Sequence, residues 1–162
     1  MVLHIRPATL EDLPRCAAIE STCFPPEQAA SAESIRRRIE TYPGHVLLGV
    51  CEGEVVGYIM GPVITEPYLT DAMYDDPSCH REDGSWQAVF SLAVIPPLQH
   101  RGIGGQLIHA MLALGRREGR RAVTLTCLEE KVRYYESFGF ENRGLSSSVH
   151  GGKPWYNMVH PL

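Results

Sequence analysis

The sequence lacks the features that would cross-link it, anchor it in a membrane or bind it to a polyanion. Its five cysteines (Cys16, Cys23, Cys51, Cys79, Cys127) are odd in number, widely spaced and free of any C-x-x-C pair. Neither a disulfide framework nor a zinc site is indicated, and reduced thiols are expected. The seven histidines show no H-x-H or H-E-x-x-H spacing, so no metal is expected. Basic residues do not dominate: 15 Lys and Arg stand against 19 Asp and Glu, a net charge of −4. That balance argues against a general nucleic-acid or anionic-membrane binder and favours cationic small molecules as ligands. No stretch approaches the roughly 18 apolar residues of a membrane span. The opening Met-Val-Leu-His-Ile-Arg-Pro has no basic segment followed by an apolar run, so a cytoplasmic protein is expected.

What is present describes one globular domain over 1–162, 44% hydrophobic and 21% charged, long enough to fold around its own core. Elements of both kinds alternate. A short strand over 3–7 leads to Thr9-Leu-Glu-Asp12, which reads as a capping box starting a helix. A second helix is predicted over 34–42, with Ile35, Ile39 and Tyr42 on one face. Strands over 46–51 and 55–63 flank a hairpin turn at Glu52-Gly53-Glu54. Residues 64–85 break the pattern: six acids, Glu66, Asp71, Asp75, Asp76, Glu82 and Asp83, stand among turn residues against one base, Arg81, and the segment reads as a solvated surface insertion. If it borders an active site, its charge would attract an amine. The run Trp86 to Val94 predicts one buried strand, followed by a helix over 102–117, a strand over 121–127, a helix over 129–138 and two last strands meeting at His150-Gly151-Gly152-Lys153. An α/β sandwich around a mixed sheet follows.

The most informative segment is Gln99-His100-Arg101-Gly102-Ile103-Gly104-Gly105. A strand ends, a loop turns, and glycines open a helix. Such a loop lets main-chain N–H groups approach a ligand, and the helix's uncapped first turn suits phosphate oxygens. The plain alternative is a tight turn whose glycines serve geometry alone. A P-loop is excluded because no G-x-x-x-x-G-K-[ST] occurs. A dinucleotide fold fails because Leu107 stands at the third fingerprint glycine and too little chain remains for further crossovers. Coenzyme A remains. The basic run Arg116-Arg117-Glu-Gly-Arg120-Arg121 either meets a nucleotide phosphate or complements a helix C-terminus.

With these residues in place, the sequence resembles the GNAT superfamily of acyl-coenzyme A dependent N-acyltransferases, whose signature Gln/Arg-x-x-Gly-x-Gly/Ala matches Gln99 to Gly104. Ser91-Leu-Ala-Val94 and Tyr134-Tyr135-Glu-Ser-Phe-Gly-Phe140 fall at the family's spacing. Within the superfamily the chain looks most like the arylalkylamine (serotonin) N-acetyltransferase branch, through Leu92-Ala93-Val94, Cys127, the Tyr135 segment and Phe24-Pro-Pro-Glu27. The resemblance implies a mixed, mostly antiparallel sheet with a splayed strand pair holding acetyl-CoA. It assigns Leu92, Ala93 and Val94 to the pantetheine arm, and His100, Arg101, Gly102, Ile103, Gly104 and Gly105 to the pyrophosphate. Tyr135 matches the family's catalytic tyrosine and would protonate the leaving thiolate; Tyr134 reads as packing. The serotonin enzymes carry two histidines where Ala88 and Phe90 stand here, so Glu27 is the candidate base or amine-binding carboxylate, with Glu20 a poorer one. Leu128 replaces an asparagine common in the superfamily.

The expected activity is therefore acetyl transfer from acetyl-CoA to a small-molecule primary amine, an arylalkylamine by resemblance, by direct attack. The other readings are a polyamine or protein-amine acetyltransferase and a noncatalytic acyl-CoA-binding regulatory module. Neither nucleic acid nor membrane is an expected partner.

Overall fold

The computed structural model describes residues 2–162. The mixed α/β architecture is as expected. Strand β1 (His4–Pro7) is followed by helices α1 (Leu13–Cys23) and α2 (Ala32–Thr41), then β2 (Val46–Cys51), β3 (Glu54–Met60) and the short β4 (Val63–Ile64). One turn of helix, α3 (Asp71–Tyr74), precedes β5 (Trp86–Val89) and β6 (Ser91–Val94). Helix α4 (Ile103–Arg117), β7 (Ala122–Cys127), α5 (Val132–Glu136), β8 (Glu141–Leu145) and β9 (Tyr156–Pro161) complete the chain. No helix among the described residues is long and apolar enough to cross a membrane.

Local chemistry accounts for most of these boundaries. The Thr9 N–H donates to the Asp12 carboxylate at 2.8 Å, closing the expected box, and Arg6 pairs with the same carboxylate at 2.8 Å. Helix α2 starts before residue 34 because the Ser31 hydroxyl accepts the Ser34 N–H at 3.1 Å. Glu52 and Gly53 both take positive φ, 50° and 80°, the backbone of a two-residue hairpin turn whose twist matches its strands.

The run Trp86 to Val94 is two strands, not one. Strands β1, β2, β3 and β6 form one antiparallel sheet, and β4, β5, β7, β9 and β8 form a second, so the chain changes sheets at Phe90. The run 55–63 divides likewise, because Gly61-Pro62 interrupts it. A Cβ on Gly61 would collide with the Ala88 carbonyl, and Pro62 has no N–H to give a ladder. Residues 64–85 are also more than an insertion. Leu69 is core, and Asp71 accepts hydrogen bonds from the Ser148 hydroxyl and, at 3.1 Å, from the Val149 N–H. The last two strands meet through a longer connection than a tight hairpin, because its middle is tied to Asp71 and the Trp155 indole N–H bonds the His150 carbonyl at 2.7 Å.

Besides the small cluster of Ile64, Leu69 and Ala88, two larger cores flank the sheets. One joins α4 to β2, β3, β7 and β9 through Leu47, Ile59, Leu107, Met111, Leu125 and Met158. The other packs α1 and α2 against the opposite face through Ile19, Ile35, Ile39, Leu48 and Tyr58. The consequence for function lies at the fork. Strand β5 runs parallel to β7 as far as Val89 opposite Leu125; beyond it β6 pairs only with β3. A wedge-shaped gap opens between β6 and the end of β7.

Candidate active site

The gap is part of a cavity of about 760 Å³ running from the glycine loop to α1, α2, α3 and the β8–β9 connection. At the loop end the polar groups on offer belong to the main chain. Ile95 N–H bonds the Val56 carbonyl at 2.9 Å. Antiparallel alternation in that register turns the main-chain groups of Ala93 to β3 and those of Leu92 and Val94 to the gap. The Val94 carbonyl is already taken by the Gln99 amide at 2.9 Å, which holds the loop against the strand. His100 and Gly102 take φ of 63° and 83°, and Gly102 caps α4 without any side-chain bond. The first closing bond is Gln106 N–H to the Gly102 carbonyl, 3.1 Å, so the N–H groups of Ile103, Gly104 and Gly105 lack helical acceptors.

Leu92, Val94, His100, Gly102, Gly104 and Gly105 line the cavity, whereas Ala93, Arg101 and Ile103 do not. Ala93 and Ile103 are core residues and Arg101 is exposed. Gly104 and Gly105 also have a packing role: a Cβ would lie 2.6 Å from the Tyr134 hydroxyl at the first and 2.9 Å from the Phe138 ring at the second. Tyr134, read as packing, thus reaches the amino end of α4 and lines the cavity. The basic run lies elsewhere. Arg116 and Arg117 are in the last turn of α4, roughly 20 Å from its amino end at 1.5 Å per residue. Arg120 donates to the Glu82 and Gly84 carbonyls.

Tyr135 and Cys127 both line the cavity. Burial, reinforced by Cys127 and its neighbouring tyrosines, pushes the Tyr135 phenol far above its ordinary range, so the phenol stays protonated at neutral pH. Burial also pushes the Cys127 thiol up to about 11, which leaves it a neutral wall residue.

At the far end the cavity is lined by side chains. The Tyr74 ring stacks on Phe90 with centroids 4.5 Å apart and lies parallel to His150 at 5.8 Å. Its hydroxyl shares a hydrogen bond with Thr126, 2.9 Å. Trp155 and Phe24 extend this aromatic wall. Of the two glutamates weighed from the sequence, the fold brings Glu20 to the cavity and leaves Glu27 outside it, exposed. Glu20 is 2% exposed. It accepts from the Tyr58 hydroxyl at 2.6 Å, from the Ala30 N–H at 2.9 Å and weakly from Ser91 at 3.5 Å. Ala88 is sealed in the core while Phe90 lines the cavity.

Arg38 was not singled out from the sequence. It lines the cavity and is 3% exposed, with its guanidinium carbon 5.3 Å from the Phe90 ring centre. Its place three residues after Ile35 and one before Ile39 puts it on the buried face of α2, a spacing that marks it as an inward-facing charge.

The Acetyltransferase (GNAT) family model matches residues 13–140. Among curated proteins, the uncharacterized N-acetyltransferase YkwB of Bacillus subtilis (strain 168) is 28% identical over 123 residues, 69% of this chain and 54% of that protein. The chain thus spans about half the length of this relative. Among solved structures, the loading GNATL domain of CurA from Lyngbya majuscula superposes with a TM-score of 0.88 at 19% identity, covering 99% of this chain and 98% of that one. The GphF GNAT-like decarboxylase, solved in complex with isobutyryl-CoA, gives 0.86 at 21% identity, with 98% of both chains covered. At these identities the two structures speak for the fold.

Proposed function

The chain belongs to the acetyltransferase (GNAT) family, and from that premise we propose that it transfers an acetyl group from acetyl-CoA to a small primary amine by direct attack. The observation that carries this reading is the fork at Phe90: one gap has the uncapped start of α4 at one mouth and the half-buried Tyr135 in its wall.

Coenzyme A fits the residues present. The unbonded N–H groups of α4's first turn suit a pyrophosphate. The outward main-chain groups of Leu92 and Val94 suit the amides of a pantetheine arm, as a free sheet edge suits an added strand. His100, Gly102, Gly104 and Gly105 would hold the phosphates through their main chain, and Tyr134 would lie alongside. Bound acetyl-CoA supplies an activated acetyl thioester.

The remaining work falls to the chain. An alkyl amine has a pKa near 10.4 and arrives protonated. Glu20 takes the amine-binding role expected of Glu27, and its carboxylate, which accepts only weakly from Ser91, takes the ammonium proton. The main-chain N–H of Leu92 or Val94, unpaired on the gap side of the strand, would be available to stabilise the negative charge that develops on a thioester oxygen. Tyr135 holds a proton at its hydroxyl for a departing thiolate, comparable to a cysteine of pKa about 8.5. The wall of Phe24, Phe90, Tyr74 and Trp155 favours an arylalkylamine over a polyamine, since aromatic faces attract both rings and cations.

The test is thiol release from acetyl-CoA with a panel of amines. Turnover with phenethylamine-type substrates supports the reading, and turnover with polyamines or peptides alone overturns the arylalkylamine assignment. Coenzyme A binding without turnover on any amine overturns the enzymatic reading in favour of a regulatory module, the alternative that Ala88 and Phe90 in place of the histidines raise.

A further inference from the structure

We propose that Arg38 forms a carboxylate-binding subsite at the far end of the cavity, so that one of the two substrates carries a carboxylate group. This deepens the acetyltransferase reading and rests on it for the identity of the site.

The argument starts from what surrounds the guanidinium. A cation removed from water is costly unless it is paired and its N–H groups are bonded. Arg38 has no ion-pair partner, and beyond its place over the Phe90 ring its bonding is weak and incomplete. No carboxylate among the described residues lies within 4.0 Å of it. Its hydrogen bonds are long and go to neutral atoms: the Ser91 hydroxyl at 3.4 Å, the Met60 sulfur at 3.6 Å and the Tyr74 carbonyl at 3.3 Å. Its buried Nε–H has no partner at all. Arg120 makes the contrast. Its side chain is also nearly buried, yet it pairs with Glu118 at 3.2 Å and donates to two carbonyls.

The competing account is that Arg38 only balances Glu20. Ser91 stands between the two, 3.4 Å from Arg38 and 3.5 Å from Glu20, so the charges do not touch. Glu20 is already bonded by Tyr58 and Ala30. Asp75, the other acid nearby, accepts from the Ser34 hydroxyl at 3.5 Å instead. An underbonded guanidinium fork opening on a cavity matches the two oxygens of a carboxylate. A phosphate would bring a second negative charge beside Glu20, which a single cation cannot offset. The carboxylate can sit on the amine, making the acceptor an amino acid, or at the end of the acyl chain, making the donor a dicarboxylic thioester.

Two matched pairs of probes separate these sources without requiring turnover. Calorimetric titration of the coenzyme A-loaded protein compares N-acetylphenylalanine with N-acetylphenethylamine, which differ by the carboxylate. Titration of the free protein compares succinyl-CoA with acetyl-CoA. In one pair the carboxylated member should bind roughly 10- to 100-fold tighter, the strength of a charge-assisted bond. Arg38→Gln should bring that ratio to about one, and Arg38→Lys should retain part of it, since lysine keeps the charge and loses the fork. A preference in the first pair assigns the carboxylate to the amine, and in the second to the acyl group. No preference in either pair overturns the proposal, and so does a preference that survives Arg38→Gln. Should Arg38→Gln fail to fold, Arg38→Lys decides alone: an undiminished ratio overturns the subsite. Turnover of phenylalanine and phenethylamine, measured alongside, keeps the two readings apart. Carboxylate preference without turnover removes the acetyltransferase reading only, and turnover without preference removes the subsite only.

Discussion

At the loop end of the cavity the groups proposed to hold the donor are chiefly main-chain N–H groups from one stretch, Leu92 to Gly105, with Tyr134 alongside. At the far end they are side chains drawn from α1, α2, α3, β6 and the β8–β9 connection. The first kind of site depends on backbone path and on the absence of side chains, so many sequences can build it and one local motif is enough to announce it. The second depends on residues such as Glu20 and Tyr58, far apart in the chain and 2.6 Å apart in space. On the proposed function, the contrast teaches where specificity would reside: the loop end would suit a common donor, and the far end would distinguish what receives the acetyl group.

The largest expected effect lies between the two ends. Tyr135→Phe removes the proton donor and leaves the ring packed against Phe140. Turnover should fall about 100-fold, the lower range for general acid catalysis, with coenzyme A affinity nearly unchanged. Steady-state rates beside a binding titration check this; equal rates for the two proteins would show that the thiolate leaves unaided.

Gly104 tests whether the loop end is a ligand site or only a packing solution. Because a Cβ there meets the Tyr134 hydroxyl, Gly104→Leu belongs in a Tyr134→Ala background, where the collision is gone. Coenzyme A binding should still weaken at least tenfold relative to that background, the loss of about one bond to a charged oxygen. Full affinity would mean that the glycine serves Tyr134 alone.

The far end gives smaller and more selective effects. Glu20→Gln should raise the amine KM about tenfold while leaving coenzyme A affinity alone, again the scale of one charged contact; Glu27→Gln should change neither. Reversal of these two results would restore the sequence-based assignment. Asp71 fastens α3 to the β8–β9 connection, and its bonds from Ser148 hold its carboxyl below the ordinary 3.8. A group whose folded pKa is depressed stabilises above its unfolded value and loses that contribution as pH falls through the folded one. Amide exchange in residues 146–152, taken relative to the intrinsic rate at each pH, should therefore be protected at neutral pH and lose protection below about pH 4. In Asp71→Asn it should be roughly tenfold faster at neutral pH, the cost of one charged hydrogen bond. Exchange unchanged by acid and by the substitution would show that this connection closes the cavity without Asp71.

The same contrast explains what the sequence disclosed. Helix α4 and its glycine entrance, the Glu52-Gly53 turn and the buried strands β2 and β7 are local patterns, and all were legible. The splayed strand pair was implied by the family resemblance, but its place at Phe90 was not legible, because the continuous apolar run 86–94 is equally consistent with one strand; only Gly61-Pro62, a break in the neighbouring run, signalled a change of sheet. Glu20 and Glu27 could not be ranked, since Glu20's burial depends on Tyr58 and Ala30. Arg38 sat unnoticed in Arg36-Arg37-Arg38, although its spacing from Ile35 and Ile39 separates it from its exposed neighbours.

The smallest expected effect bears on the chemistry itself. Cys127 stands in the cavity wall close to Tyr135, where a nucleophile for a two-step transfer would have to be. Attack requires the thiolate, and burial pushes this thiol up to about 11, so near pH 7 it is almost wholly protonated. Cys127→Ala should accordingly keep turnover within about threefold, whereas loss of an obligatory nucleophile would cost orders of magnitude. Mixing the wild-type protein with acetyl-CoA in the absence of amine should yield no acetylated chain by mass spectrometry. Between pH 7 and 9 the rate should rise as more amine is deprotonated, with the same profile in Cys127→Ala. An acetyl adduct on Cys127, or a pH profile altered by its removal, would replace direct attack with a covalent route and move the reacting centre from the amine's end of the cavity to its wall.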